Sequence, residues 1–242
     1  MDAATRYGYD GIEWRCADGG LLGPGTDDDV YRRIARASRD AGVAVACLDT
    51  SCAFVQQGTE RHGAVLGECA AMIRHAQHIG APAVRVFAGR VGDARRENLV
   101  GPAVEALKPA VAGAATAGVD VLIETHDDWA RADHISLLLD GVDGLGVCWD
   151  VVHTHRAREV PIRTLESLGD RVRLVHVKDT AGEELVACGE GDVPLAGIGE
   201  LLRNAGYDGF VSFEWEKLWH PSLAEPEDAL PAAAGTLREL FG

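Results

Sequence analysis

The chain has 242 residues, 47% of them hydrophobic, enough for a substantial core and unlike a disordered composition. Its 23 basic and 38 acidic residues leave a net charge of −15, which argues against nucleic acid and against an anionic membrane surface as partners, since phosphate binding needs a basic footprint. No apolar run is long and clean enough to span a bilayer, and MDAATRYGYDG has neither the basic nor the apolar segment of a signal peptide, so a cytoplasmic protein is expected.

One phrase organises the chain. A helical stretch ends in glycine, one or two residues follow, and an apolar strand begins. The glycines are Gly8, Gly42, Gly80, Gly118, Gly169 and Gly206, and the first and last instances share Gly-Tyr-Asp-Gly. Glycine suits this place because it tolerates the left-handed conformation that closes a helix. With the run at Leu145, the phrase predicts seven strands, about 11–16, 43–49, 83–88, 119–125, 145–151, 172–178 and 209–215. Helical patterns lie between them at 26–41, 59–79, 94–117, 131–140, 161–168, 195–205 and 227–241. The first opens with Thr26 and Asp27–Asp29, a favourable cap for a helix. The stretch 180–193, TAGEELVACGEGDV, is polar and glycine-rich and reads as a loop over the top of the sheet.

Strand and helix alternate without a linker, which predicts a single α/β domain over 1–242 with a parallel sheet. No G-x-G-x-x-G follows the first strand, so a barrel is favoured over a doubly wound nucleotide fold. The six cysteines, Cys16, Cys47, Cys52, Cys69, Cys148 and Cys188, have no C-x-x-C spacing and read as reduced core thiols.

Four strands end in metal-type ligands: Glu124 in VLIETH, Asp150 in VCWDVVH, His176 in LVHVKD and Glu214 in VSFEWE. A buried carboxylate needs a partner, and barrel strands converge their ends on one axis. Three carboxylates and an imidazole suit one divalent ion. Mn²⁺ is the first choice, ahead of Co²⁺, Mg²⁺ and Fe²⁺, and zinc is less favoured without thiolates. His126 and Lys178 share the strand parity of Glu124 and His176, two residues further up, and are candidate substrate contacts. Glu13 alternates with Ile12 and Trp14; it either faces the barrel mouth as a substrate contact or pairs with Arg85 or Arg15. His62, His75 and His78 share one predicted helix and read as surface or helix-packing residues. Trp14, Trp129, Trp215 and Trp219 are pocket walls or core, and Asp179 and Glu190 are candidates for ordering the loop.

GYDGIEWR, the Glu-x-His strand end, WDVVH, HVKD, the GEGDV loop and GYDGFVSFEWE resemble the xylose isomerase-like barrels over essentially the whole chain. Within them the sequence is most similar to the sugar phosphate isomerase/epimerase group, which includes hydroxypyruvate isomerases, ketose 3-epimerases, inosose isomerases and inosose dehydratases. The resemblance implies a (β/α)₈ barrel with metal ligands at Glu124, Asp150, His176 and Glu214. It implies a metal-dependent isomerase or epimerase acting through an enediolate, with Glu124 and Glu214 as the acid/base pair. The D-x-x-H spacing implies that His153 binds a substrate hydroxyl. The expected partner is a small carbohydrate or polyol-derived molecule. Ketose epimerases carry an arginine several residues after the matching histidine. Here the stretch is Lys-Asp-Thr-Ala-Gly, closer to the dehydratase and hydroxypyruvate isomerase branches.

A lyase on the same site, dehydrating an inosose or dehydroshikimate-like substrate, is therefore the second reading, with His153 or Lys178 as general acid. A zinc-cluster DNA-repair endonuclease is disfavoured by the charge and by the single ligand quartet. A barrel that binds a sugar or a partner without catalysis is the reading of another class. The family's barrel has eight strands and this sequence supplies seven, the first strand having no counterpart before Met1. The expectation is an open or distorted barrel that dimerises or aggregates through the gap, or a start site downstream of the true one. The alternative is direct closure with seven strands.

Overall fold

The structure is a computed structural model that describes residues 1–16, 22–55 and 59–242; the side chains of 59–62, His62 among them, lie outside the described set. Six parallel strands come first: β1 (Gly11–Arg15), β2 (Ala44–Ala53), β3 (Ala83–Phe87), β4 (Asp120–Glu124), β5 (Gly146–Asp150) and β6 (Val172–Val177). A hairpin of β7 (Asp179–Ala181) and β8 (Glu184–Val186) follows, then β9 (Phe210–Phe213). Among the described residues the main sheet has seven strands, in the order β1-β2-β3-β4-β5-β6-β9, all paired parallel. The helices are α1 (Asp2–Tyr7), α2 (Asp28–Ala41), α3 (Thr59–Ile79), α4 (Arg96–Ala117), α5 (Ala132–Leu139), α6 (Val151–Arg156), α7 (Pro161–Leu168), α8 (Leu195–Asn204) and α9 (Pro226–Phe241).

The glycine phrase performs as its chemistry requires. All six glycines have positive φ, from 52° at Gly169 to 83° at Gly80. At Gly42 the turn returns two backbone N–H groups to the end of α2, donating to Arg39 and Ser38 carbonyls. Gly8, Gly42 and Gly118 close their helices in the left-handed conformation just ahead of a strand, whereas Gly169, with ψ −135°, opens a short 3-10 turn before β6.

Successive strand residues face opposite ways, so every second residue enters the barrel. The lower interior layer is apolar and small: Cys47, Ala83, Leu122, Cys148 and Leu174 form one buried cluster with Phe210 against it. Gly11 supplies the space on β1, where a Cβ would lie 2.9 Å from the Phe210 ring. One step of two further up the strands come Glu13, Asp49, Arg85, Glu124, Asp150, His176 and Ser212. The larger core lies between sheet and helices, where Val84, Val86, Val121, Ile123, Val147, Trp149, Val175 and Val177 meet the helical shell.

The sheet is a nearly closed barrel. β1 and β9 approach through Gly11 and Phe210, yet no strand pairing joins them among the described residues. Direct closure by hydrogen bonding is therefore not what the chain does. A cavity of about 420 Å³ occupies the seam, running from Ala4 of α1 and Leu230 of α9 inward to Glu13, His176 and Glu214.

The expected loop at 180–193 is corrected in part, since it begins with the β7–β8 hairpin. The remainder is held by Asp179, whose carboxylate accepts from the N–H groups of Thr180 (2.9 Å), Gly189 (2.8 Å), Gly191 (3.1 Å) and Val193 (3.2 Å). A Cβ at Gly191 would collide with that carboxylate, which explains the glycine in GEGD. Glu190 is exposed. No helix is long and apolar enough to cross a membrane among the described residues.

Candidate metal centre and active site

Four adjacent strands in the sheet deliver Glu124, Asp150, His176 and Glu214 to one place. One ligand atom from each lies within 4.8 Å of the others. The first three side chains are at most 2% exposed, whereas Glu214, just past β9, is 29% exposed. The centre is therefore sealed on the β4–β6 side and open toward the seam.

Each member is oriented by a neighbour. Asp150 ends β5 and caps α6. Its Oδ1 accepts from the Val152 and His153 N–H groups at 2.8 and 2.9 Å, which leaves Oδ2 turned to the centre. His176 places Nε2 3.1 Å from Glu13 Oε2, so Nδ1 faces Glu124 Oε1 at 3.8 Å and Glu214 Oε2 at 3.7 Å. A carboxylate on the far nitrogen of an imidazole fixes its ring and tautomer, the usual support for a metal-binding histidine. Glu124 Oε2 lies 2.9 Å from Nε of the fully buried Arg85, which also lies 3.8 Å from Asp49 Oδ1. Lys178 puts its ammonium 2.9 Å from Asp150 Oδ2 and 3.0 Å from Glu216 Oε1, and also against Glu214 Oε2.

The electrostatics separate the carboxyls. Burial pushes Glu124 above the ordinary carboxyl range against the pull of Arg85 and His176. Burial also opposes ionisation of Glu214, but the Lys178 ammonium outweighs it and holds Glu214 low. Asp150 is likewise held low, with Lys178, His153 and His176 overcoming burial. Glu13, despite burial, is held at about 2 by the His176 charge and by hydrogen bonds from His176, Ser212 and Asp49. Asp49 moves the other way, to about 8, pushed up by burial and then by the Glu13 charge. Glu13 and Asp49 thus hold one proton between them.

The donor set fits a divalent cation. His176 Nδ1 is buried and takes part in no hydrogen bond, while Glu124 Oε2 and Asp150 Oδ2, equally buried, meet only the charges of Arg85 and Lys178. A buried imidazole nitrogen is normally satisfied, and a cation among Glu124, Asp150, His176 and Glu214 would satisfy Nδ1.

The structure brings the other candidates to the same mouth with different tasks. His126 and His153 pack with centroids 4.1 Å apart and planes tilted by 52°, and Phe87 backs His126 at 4.7 Å. Burial lowers both imidazoles below their ordinary value, so both are neutral near pH 7. Trp215 and Trp219 line the seam cavity, while Trp129 is fully buried and Trp14 packs against the main core. Glu13 lines that cavity too, but its Oε2 faces His176 and not Arg85 or Arg15. Arg85 instead takes Glu124, and Arg15 Nη1 donates to the Cys16 and Asp49 carbonyls at 2.6 and 3.0 Å.

Sequence reasoning missed Asp49, Arg85 and Glu216 as members of this cluster. Strand parity was the available signal. Asp49 and Arg85 stand two residues after the layer residues Cys47 and Ala83, the same step that separates Leu122 from Glu124.

Comparison with known proteins places the chain. Among solved structures, the IolI protein with a bound zinc atom superposes with a TM-score of 0.85 at 20% identity, covering 99% of this chain and 91% of that one. L-ribulose 3-epimerase gives 0.84 at 17% identity, covering 99% and 86%. The probable 3-DHS dehydratase AsbF from Bacillus anthracis gives 0.79 at 18% identity, covering 98% and 91%. At these identities the likeness is one of fold. No curated protein matches the sequence. A family model described as xylose isomerase-like TIM barrel matches residues 1–240, and the chain belongs to that family.

Proposed function

We propose that the chain is a divalent-metal-dependent sugar isomerase or epimerase working through an enediolate. The observation that carries this reading is the convergence of Glu124, Asp150, His176 and Glu214 within 4.8 Å at the ends of four neighbouring strands. These four would hold the ion, with Mn²⁺ preferred because three carboxylates outnumber the single imidazole. When bound, the ion acts as a Lewis acid on neighbouring carbonyl and hydroxyl oxygens of the sugar.

The chain's own residues do the rest. Glu214, kept ionised by Lys178, takes the proton from the carbon beside the substrate carbonyl. Glu124, whose burial favours the protonated form, returns a proton on the other side. Two carboxyls driven apart by their surroundings are the usual signature of an acid and a base sharing a site. The neutral His153 and His126 bind substrate hydroxyls, and Trp215 and Trp219 exclude water on the seam side. Glu13 keeps the His176 ring in place.

The Lys178 ammonium among Asp150, Glu214 and Glu216 favours a second reading. In a lyase on the same centre it would protonate a departing β-hydroxyl.

Chelated protein reloaded with Mn²⁺, offered ketoses and inososes in deuterated water, separates the two readings. The isomerase reading expects deuterium at one carbon of an isomerised sugar, and loss of that exchange by 10³-fold or so in Glu124→Gln and Glu214→Gln. Release of a dehydrated product from an inosose supports the lyase. Full turnover without metal, or near-native exchange in both variants, rules out the proposed roles.

A further inference from the structure

A second cluster of ligating side chains lies outside the barrel, where α2 packs on α3. His75 and His78 sit three residues apart on one face of α3, and Asp28 begins α2 opposite them. His75 Nδ1 and His78 Nδ1 each lie 3.2 Å from the same atom, Asp28 Oδ1. Neither nitrogen makes a hydrogen bond, and the His75 side chain is wholly buried.

The His75 ring has no freedom to turn away. It stacks on Tyr31 with centroids 4.1 Å apart and planes 15° from parallel. Its Nε2 stands 3.1 Å from the Pro24 carbonyl oxygen. That oxygen only accepts, so Nε2 carries the proton and the Nδ1 of a neutral ring is a bare lone pair. A lone pair then faces a carboxylate oxygen at 3.2 Å, with a second imidazole nitrogen beside it. Such a contact is repulsive unless a proton or a metal ion lies between the atoms.

The spacing suits zinc. Ligands held about 2.0–2.1 Å from a tetrahedral ion are about 3.3 Å from one another. The histidine whose other nitrogen donates to a backbone carbonyl is the common supporting arrangement. From these observations we infer that Asp28, His75 and His78 form a zinc site on the outer face of the barrel, separate from the four strand-end ligands. Two imidazoles and one carboxylate make a borderline-soft set that selects Zn²⁺ over Mg²⁺ or Mn²⁺. The fourth position is open to water, since Asp28 is 34% and His78 24% exposed. The ion would tie the start of α2 and the Pro24 turn to α3.

Arg74 and Arg32 compete for the same carboxylate. Arg74 Nε lies 3.7 Å from Oδ1 and Arg32 Nη2 3.7 Å from Oδ2, both on half-exposed side chains free to swing away. Removing Arg74, which lies against the same Oδ1 as the two imidazoles, should tighten the site.

Zinc alone, titrated into the chelated full-length protein, tests the inference. Calorimetry on wild type, His78→Asn and Asp28→Asn should show one equivalent of Zn²⁺ lost in each variant. The rise in melting temperature produced by zinc should shrink with it. Arg74→Gln should bind that equivalent several-fold more tightly. Crystals of wild type soaked in zinc supply a reading that needs no variant: an anomalous peak about 2 Å from both Nδ1 atoms is expected. Unchanged zinc stoichiometry in the folded variants, or soaked crystals with no peak between His75 and His78, would overturn it.

Discussion

The middle of the sheet and its seam are built differently, and the candidate site draws on both. Every residue of β5 is buried, while every residue of β1 and β9 is only half-buried. The middle strands are covered inside by the Leu122–Cys148–Leu174 layer and outside by the helical core. The seam has a six-residue helix, α1, and a cavity of about 420 Å³ beside it. Glu124, Asp150 and His176 come from the rigid middle. Glu214 and Glu13 come from the two strands at the seam. The geometry of a binding centre is set where packing leaves no alternative, and access is set where packing is incomplete.

The largest expected effect separates the two regions by stability as well as activity. Asp150→Asn keeps a capping oxygen but removes the buried negative charge beside Lys178. Leaving that ammonium short of a partner should destabilise the protein by about 3 kcal/mol, in the range for breaking a buried pair. Metal binding and turnover should both be lost. Glu214→Gln should abolish turnover as fully, yet change the urea unfolding free energy by no more than about 1 kcal/mol, as for a partly exposed pair. Equal destabilisation by the two variants would erase the contrast between middle and seam.

A smaller effect concerns Glu13, the residue through which β1 reaches across to His176. Glu13→Gln should lower metal affinity about 10- to 100-fold, as removal of an outer support of a ligating histidine does. Turnover at saturating metal should stay near native. If Glu13 instead contacts substrate, KM rises and added metal fails to restore the rate. Dialysis for affinity and steady-state kinetics at several metal concentrations distinguish the two outcomes.

Much of the fold was legible because glycine closes a helix in only a few ways. The predicted helix 59–79 and the observed α3 (Thr59–Ile79) coincide, and the observed strands fall at all seven predicted places. Three short elements were not legible. α6 is six residues long, too short to display a period, and β7 and β8 have three residues apiece, whereas the helical stretch ending at Gly8 is α1. Their form depends on tertiary bonds, such as the Asp179 carboxylate gathering four backbone N–H groups. The four strand ends proposed as ligands were legible because each stands at the end of an apolar run. Arg85 was read only as a possible partner of Glu13, because nothing in AVRVF shows that Glu124 and Asp49 face it. The His75–Asp28 pair was equally hidden, since sequence separation says nothing about which helices meet.

The last expected effect lies in the pH dependence of the metal-free protein, and it isolates the seam. Asp49 is pushed up to about 8 by burial and the Glu13 charge, whereas the unfolded chain releases this proton near 3.8. Between those values the folded state binds more protons than the unfolded state. Stability from Asp49 is therefore complete below pH 3.8 and is lost as pH rises through about 8. Glu13 has the opposite sign: held at about 2 against an ordinary 4.5, it stabilises above 4.5, and that contribution is lost as pH falls toward 2. His176, raised above its ordinary value by Cys148 and Glu13 against burial, also loses stabilisation as pH rises, so the wild-type curve alone does not single out Asp49. The difference from Asp49→Asn does. Urea midpoints measured in chelator at several values between pH 5 and 7.5 should fall faster for wild type than for the variant. One proton limits the excess slope to about 1.4 kcal/mol per pH unit. Parallel curves would mean that Asp49 is ionised in the folded protein. Arg85 would then be neutralising Asp49 and Glu124 together, and the proton assigned to the Glu13–Asp49 pair would not be there.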